Sequence, residues 1–207
     1  MNNKSTVGGS IVRALLFVIA FTFLTGFVYT VVITGIGQTL FPKQANGSVI
    51  EINGKTYGTE LLGQQFSEPG HLWGRLMNLD VSSFKNENGE PAMYSTPINK
   101  SPAGAEVDEM VKARVAQLKA ADPTMEGVPI PVDLVTVAGS GLDPEISPAA
   151  AEYQVHRIAT ARGISEDEVR KVIAANTKGR LFGLFGNPRV HVLKVNLMLD
   201  GILTEGK

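Results

Sequence analysis

From Ala14 to Ile36 the chain runs for 23 residues without a charge, ALLFVIAFTFLTGFVYTVVITGI. A helix of that length reaches about 34 Å at roughly 1.5 Å per residue, enough to cross a hydrocarbon core of about 30 Å with some tilt. Tyr29 and the Phe41-Pro42 pair lie toward its far end, where an aromatic ring and a helix breaker suit a membrane interface. A secretory signal could use Lys4 and Arg13 as its basic leader. Its apolar region, however, would run about 7–15 residues and end at an Ala-x-Ala-like site, which does not follow here. The sequence therefore predicts an uncleaved anchor: residues 1–13 as a cytoplasmic N-terminus, 14–36 as a transmembrane helix and 37–207 as an extracytoplasmic domain. The orientation rests on Lys4, Arg13 and the amino terminus preceding the span, against Lys43 alone just after it.

The span carries more than apolar residues. Thr22, Gly26, Thr30 and Thr34 recur every fourth position and so fall on one helix face. Small residues allow a second helix to approach closely, and Thr hydroxyls can hydrogen-bond across the contact. The stripe predicts packing against a membrane-embedded partner.

Charge excludes several function classes. The chain has 19 Lys+Arg, 20 Asp+Glu and a net charge of −1, and the part after residue 40 carries −3. Bulk electrostatics therefore do not point to nucleic acid. With 43% hydrophobic and 19% charged residues, the composition is that of a folded chain. Absence of cysteine removes disulfides, Cys-ligated zinc, thiol catalysis and lipid attachment through Cys.

Beyond the anchor, the pattern is that of one α+β, sandwich-like soluble domain. Asn53-Gly54 between two short strand-like runs, Ser48–Ile52 and Lys55–Gly58, signals a hairpin. Residues 67–104 are rich in Ser, Asn, Gly and Pro and read as a long, exposed, irregular connection. Val107, Met110, Val111, Val115 and Leu118 share one helical face, and Pro123 closes that helix. Val132–Ala138 reads as a buried strand. Ser147-Pro148 opens a helix that runs to about Arg162, with Gly163 at its end. Ser165 and Glu168 form a capping box for a second helix, and Val190–Leu199 reads as a strand.

No catalytic constellation emerges. His71, His156 and His191 are far apart and lack partners at helical spacing, so no metal site is expected. Gly139-Ser140-Gly141 lacks both the Lys-Ser/Thr of a phosphate loop and nucleophile-elbow spacing, and reads as a tight connection. Arg157–Ile173 mimics a helix-turn-helix, and a membrane-anchored DNA-binding regulator is the alternative functional reading. Six cations against four acids between Ser147 and Asn187, and three acids opening the second helix, favour a plain αα-corner.

Ordered blocks along the chain then resemble a known family. They are Phe41-Pro42-x-Gln44-Ala45-Asn46-Gly47-Ser48, Leu61-Leu62-Gly63-Gln64-Gln65-Phe66, Asp133-Leu134-Val135-Thr136 and Ser140-Gly141-Leu142-Asp143-Pro144. Ile146-Ser147-Pro148-Ala149-Ala150, Gln154-Val155, Arg157, Ala159, Ala161-Arg162 and Val192-Leu193-x-Val195-Asn196-Leu197 continue the series. Together they resemble the C subunit of the bacterial Kdp potassium-transporting ATPase. The sequence departs from the family pattern within Leu72–Pro102, and has His191 where the family commonly has Asn.

The resemblance implies a non-catalytic assembly and regulatory subunit of an ATP-driven potassium importer in the cell membrane. Its partners would be a potassium-channel-like subunit and a P-type ATPase subunit, which hydrolyses the ATP. No cofactor of its own is implied: ATP enters through the ATPase partner, and potassium is the ion that the complex transports. The family is proposed to raise the ATPase subunit's affinity for ATP, as a catalytic chaperone. Gln154 occupies the glutamine linked to that ATP-binding proposal. An extracytoplasmic domain could not bring Gln154 to cytoplasmic ATP, so the residue also reads as a structural amide on the Pro148 helix.

Overall fold

A computed structural model describes residues 7–77, 79–80, 94–95, 97–101 and 103–204. The chain divides into two compact units, Met1–Val49 and Ile50–Lys207.

The first unit is dominated by one helical run, Val7–Leu40. It is α-helical over α1 (Val7–Phe21) and α2 (Thr30–Leu40), with π-helical winding over Thr22–Tyr29 between them. The run is long and apolar enough to cross a membrane. It overshoots the charge-free stretch at both ends and takes Arg13 into α1. Side-chain hydroxyls follow the winding: Thr25 donates to the Phe21 carbonyl at 2.6 Å, and Thr30 to the Thr25 carbonyl, five residues back, at 3.4 Å. Phe41 leaves helical geometry (φ −134°, ψ 49°), and Pro42 opens the short α3 (Pro42–Ala45). Asn46 locks this corner, exchanging amide hydrogen bonds with Gln38 at 3.0 and 3.3 Å and donating to the Pro42 carbonyl at 2.7 Å.

The second unit mixes helices with small sheets. β1 (Val49–Ile52) and β2 (Lys55–Thr59) form the expected hairpin. Asn53 (φ 54°) and Gly54 (φ 77°) are both left-handed, the turn geometry whose twist matches antiparallel strands. β3 (Leu79–Asp80) and β4 (Tyr94–Ser95) pair antiparallel. The part of the expected irregular connection at 81–93 lies outside the described residues. The start of that connection is not surface: Leu72 and Trp73 are among the most buried residues in the domain. α4 (Ala105–Ala121) forms on the predicted spacing, but its buried residues are Arg114 and Leu118. Val107, Met110 and Val111 instead line a cavity of about 180 Å³ together with Leu76, Ile98 and Val135.

Two expected strands are helices. Within Val132–Ala138, residues Val132–Val135 form α5, and only Val137 keeps a strand contact, a parallel bridge to Leu76. Pro131 fixes the entry, the Asp133 carboxylate accepts the Ser147 N–H at 2.7 Å, and the Leu134 carbonyl accepts Arg114 Nε at 3.0 Å. The polar partners of a helical turn were available, so a buried apolar run did not need a sheet. Within Val190–Leu199, the strand stops at β7 (Arg189–His191), and α9 (Val192–Leu199) follows. His191 caps it, its Nδ1 accepting the Lys194 N–H at 3.3 Å. Val192, Leu193, Val195, Asn196 and Leu197 are all buried, so α9 is covered almost all round and shows no amphipathic period. Here tertiary burial overrides β propensity.

β5 (Glu145–Ile146) and β6 (Thr177–Lys178) flank β7 in an antiparallel sheet ordered β5-β7-β6. Ser147 accepts the Ala150 N–H and opens α6 (Pro148–Glu152). The helix expected to continue to Arg162 breaks at Tyr153-Gln154 and restarts as α7 (Val155–Arg162). Gly163 ends α7 in the left-handed region (φ 66°). α8 (Glu166–Ala175) starts with the predicted capping box, Ser165 Oγ accepting from Glu168 and the Glu168 carboxylate accepting the Ser165 N–H.

One hydrophobic cluster joins Leu72, Trp73, Leu134, Ile158, Val169 and Val190, among others. A second, smaller one gathers Ile50, Leu193, Leu197 and Leu203.

Candidate functional site

The densest polar arrangement surrounds the residues that enter the core after Gly70. Gln154 is 1% exposed. Its Oε1 accepts the Trp73 N–H at 2.9 Å and Arg157 Nη2 at 2.7 Å. Its Nε2 donates to the Trp73 and Ala150 carbonyls, each at 3.0 Å. Two acceptor sites and two donors are the full capacity of a side-chain amide. Asn196 does the same for the preceding residue, accepting the Leu72 N–H at 2.7 Å and donating to its carbonyl at 3.0 Å. Two buried amides, from α9 and from the α6–α7 break, thus pair the Leu72–Trp73 backbone, which has no strand pairing among the described residues.

Arg157 completes the clamp. Its guanidinium donates to the Pro69 and His71 carbonyls as well as to Gln154, and stands 4.1 Å from the Trp73 ring centre. Arg114 lies 5.3 Å from the same ring and donates to the Leu134 and Gly74 carbonyls at 3.0 Å each. Trp73 Nε1 donates to the Glu68 carbonyl at 2.9 Å. Burial, reinforced by repulsion from Arg114, lowers the Arg157 guanidinium to about 10, with the Asp122 charge opposing. Burial also lowers that of Arg114. Both remain cationic at neutral pH, held by carbonyl dipoles and the indole face rather than by carboxylates.

The three histidines go to three separate places. His71 Nε2 is 3.1 Å from an Asp200 oxygen, and Arg162 donates to the same carboxylate and to the Leu199 carbonyl. His156 Nδ1 is 3.0 Å from Asp122 and 3.1 Å from Thr124 Oγ1. Burial pushes the Asp122 carboxyl up, but hydrogen bonds from Thr124 and His156 outweigh it and hold it below the ordinary carboxylate value. His191 Nε2 is 3.0 Å from the Glu60 carbonyl while Nδ1 caps α9, the pattern of a neutral imidazole. Burial lowers its pKa, with the Glu60 hydrogen bond opposing. Among the described residues, no group of three or more His, Asp or Glu converges in a way that could hold a metal ion.

The predicted site residues fall into two sets, one in each compact unit. Thr22 and Gly26 lie in the π-wound stretch and Thr30 and Thr34 in α2. All four are exposed, and open space surrounds Gly26. Gln154 is in the domain core with no free polar atom. Ser140 only caps its own turn, accepting the Leu142 N–H. In the α7–α8 corner, Arg157 is buried, and Arg170 is engaged by Glu152, Glu166 and Asp167. Arg157 and Arg170, the cations within the corner's facing surfaces, are therefore not offered to phosphates, and the DNA-binding reading is left with the exposed Lys171, Lys178 and Arg180 alone.

Sequence reasoning missed the roles of Trp73, Arg114 and Asn196. The one available signal was Asn196 itself, a lone amide in the apolar run VHVLKVNLML, which a buried position tolerates only with its hydrogen bonds made.

Comparison with known proteins follows the same span. The profile of the family KdpC, K+-transporting ATPase, c chain, matches residues 11–201. The chain is 54% identical to the potassium-transporting ATPase KdpC subunit of Clostridium perfringens, over 93% of this chain and 98% of that protein. It is 53% identical to the subunit of the same name from Clostridium botulinum, over 92% of this chain and 95% of the relative. For that of Sorangium cellulosum the identity is 49%, over 91% and 95%. The matched stretch takes in the apolar helix, the Gln154 clamp and α9, so the chain belongs to the KdpC family, the c chain of K+-transporting ATPases.

Proposed function

We propose that this subunit is a non-catalytic assembly and regulatory element. It crosses the membrane once with its N-terminus in the cytoplasm and holds its main domain outside. The observation that carries this reading is the apolar run Val7–Leu40 with four exposed small or hydroxylated residues, Thr22, Gly26, Thr30 and Thr34, at every fourth position. Such a face packs against a neighbouring membrane helix through close approach and hydroxyl hydrogen bonds. Its partners are the potassium-channel-like and P-type ATPase subunits of the complex. The second of these carries ATP hydrolysis, and potassium is the transported ion.

Any rise in the ATPase subunit's affinity for ATP is then an indirect coupling through the membrane contact. Gln154 supports it only by keeping the domain folded, since all four of its hydrogen bonds are internal.

Two experiments test these claims. The chain has no cysteine, so Ser101→Cys can be labelled in whole cells with a membrane-impermeant maleimide. Labelling is expected, and labelling only after lysis would reverse the orientation. Thr22→Leu combined with Gly26→Leu is expected to abolish detergent-stable co-purification with the other subunits. Unchanged co-purification would sink the packing stripe.

A further inference from the structure

The chain has three Asn-Gly pairs, at 46–47, 53–54 and 88–89, and the last lies outside the described residues. In such a pair the glycine nitrogen can attack the side-chain amide carbon of the asparagine, because no Cβ on the second residue obstructs the approach. The two described pairs present that chemistry in opposite states. At Asn46 the side-chain oxygen accepts from Gln38 at 3.3 Å, and the amide nitrogen donates to Gln38 at 3.0 Å and to the Pro42 carbonyl at 2.7 Å. The attacking atom is held as well, since Gly47 N–H donates to the Gln44 carbonyl at 3.1 Å. At the other pair both reactants are free. Asn53 and Gly54 are exposed, and neither the Asn53 side chain nor the Gly54 N–H makes a hydrogen bond among the described residues. Open space surrounds the place that a Cβ would take on Gly54. The pair turns a two-stranded sheet, which opens locally at little cost.

We propose that Asn53 is a site of spontaneous, age-dependent modification in the folded subunit, while Asn46 is protected. The Gly54 nitrogen, losing its proton to solvent base, forms a bond to Asn53 Cγ. The Cγ–Nδ2 bond breaks, and ammonia leaves as the cyclic imide closes. Water then opens the ring. Cleavage between Cγ and the Gly54 nitrogen gives aspartate on a normal backbone. Cleavage between the Asn53 backbone carbonyl carbon and that nitrogen gives isoaspartate, with the chain running through the side chain. In both products one amide and one water have become a carboxylate and ammonium, with no oxidant or cofactor. Isoaspartate also lengthens the backbone within the turn that sets the register of β1 against β2. Ile50, Ile52 and Tyr57 of those strands belong to the smaller core cluster, so the aged turn works against its packing.

The test incubates the detergent-solubilised full chain in mildly alkaline buffer, with Trp73 emission confirming the fold, and follows each pair by peptide mass spectrometry. Asn53 is expected to convert about tenfold faster than Asn46, whose hydrogen bonds must open first. An isoaspartyl methyltransferase is expected to label the Asn53 peptide, the signature of ring opening at the backbone carbon. In guanidinium, where neither pair is held, the two rates are expected to converge. Gln38→Ala is expected to speed conversion at Asn46 and to leave that at Asn53 unchanged. An Asn53 that converts only in guanidinium would overturn the proposal, because the folded turn would then keep the nitrogen off the amide. Equal rates in the folded chain would overturn it too. A difference that persists in guanidinium would assign the contrast to neighbouring sequence and not to the fold, and an Asn46 rate unmoved by Gln38→Ala would refute its protection by the lock.

Discussion

Replacing Gln154 with alanine isolates the clamp at the centre of the domain. The substitution removes both side-chain partners of the Trp73 backbone, which is buried and has no strand paired with it among the described residues. Each orphaned group costs about 1–3 kcal/mol, and the four deleted side-chain atoms leave a polar void beside Arg157. Arg157 keeps its carbonyl acceptors at Pro69 and His71, so its charge is not stranded. The total is a loss of about 3–5 kcal/mol, a large part of the 5–15 kcal/mol typical of a domain. For a domain of this size that corresponds to roughly 6–20 °C in Tm. Trp73 is the only tryptophan in the chain and lies within the clamp, so its emission reports the transition without added labels. Guanidinium unfolding of the detergent-solubilised full chain would supply the free energy. A loss below about 1 kcal/mol would refute the reasoning, because it would mean that the four hydrogen bonds are replaced at little cost. Unchanged stability with weakened ATP binding by the assembled complex would assign Gln154 a nucleotide role.

Two further perturbations probe other parts of the fold. The His191 pKa is lowered in the folded state, so the unfolded chain takes up the proton first and stability falls as pH drops below about 6.5, levelling off below the folded value. His191→Asn keeps a capping acceptor but cannot titrate, so it is expected to flatten stability across that window; an unchanged slope in pH-resolved denaturation would exonerate His191. Gly63→Ala would place a Cβ 2.7 Å from the Asp143 carbonyl oxygen, backbone that cannot swing aside, where the Gly63 N–H already donates to the Leu142 carbonyl at 2.7 Å. A loss of about 1–3 kcal/mol is expected in the same assay, and a neutral result would mean that the 142–143 turn yields easily.

Local signals in the sequence were strongest where a few neighbouring residues decide the outcome. Asn53-Gly54, Ser147-Pro148, Gly163 and the Ser165/Glu168 box each fix a turn or helix end through bonds within about four residues, and each formed as expected. The two expected strands failed because their state was set from afar, by Arg114 and Ser147 for α5 and by burial all round for α9. The break at Tyr153-Gln154 was hidden for the same reason, since Gln154 serves Trp73, 81 positions away. Of the candidate site, the Thr/Gly stripe was visible as a spacing. The clamp was not, because amide pairing to a distant extended segment leaves no periodicity to read.

Those sequence separations also set an order of events during synthesis. Leu72 meets its partner Asn196 across 124 positions, so the amide that satisfies it is made roughly 6–25 s later at 5–20 residues per second. Gln154 reaches Trp73 after 81 positions, but Leu72 stays without its amide until Asn196 follows, while the apolar Val7–Leu40 run has long since emerged. Completion of the core around Leu72 therefore waits on the last helix of the domain, although the β1–β2 hairpin and the α7–α8 corner are local. A nascent chain stalled before α9 would carry a finished apolar helix and an incomplete domain core, the species that quality-control proteases and holding chaperones recognise.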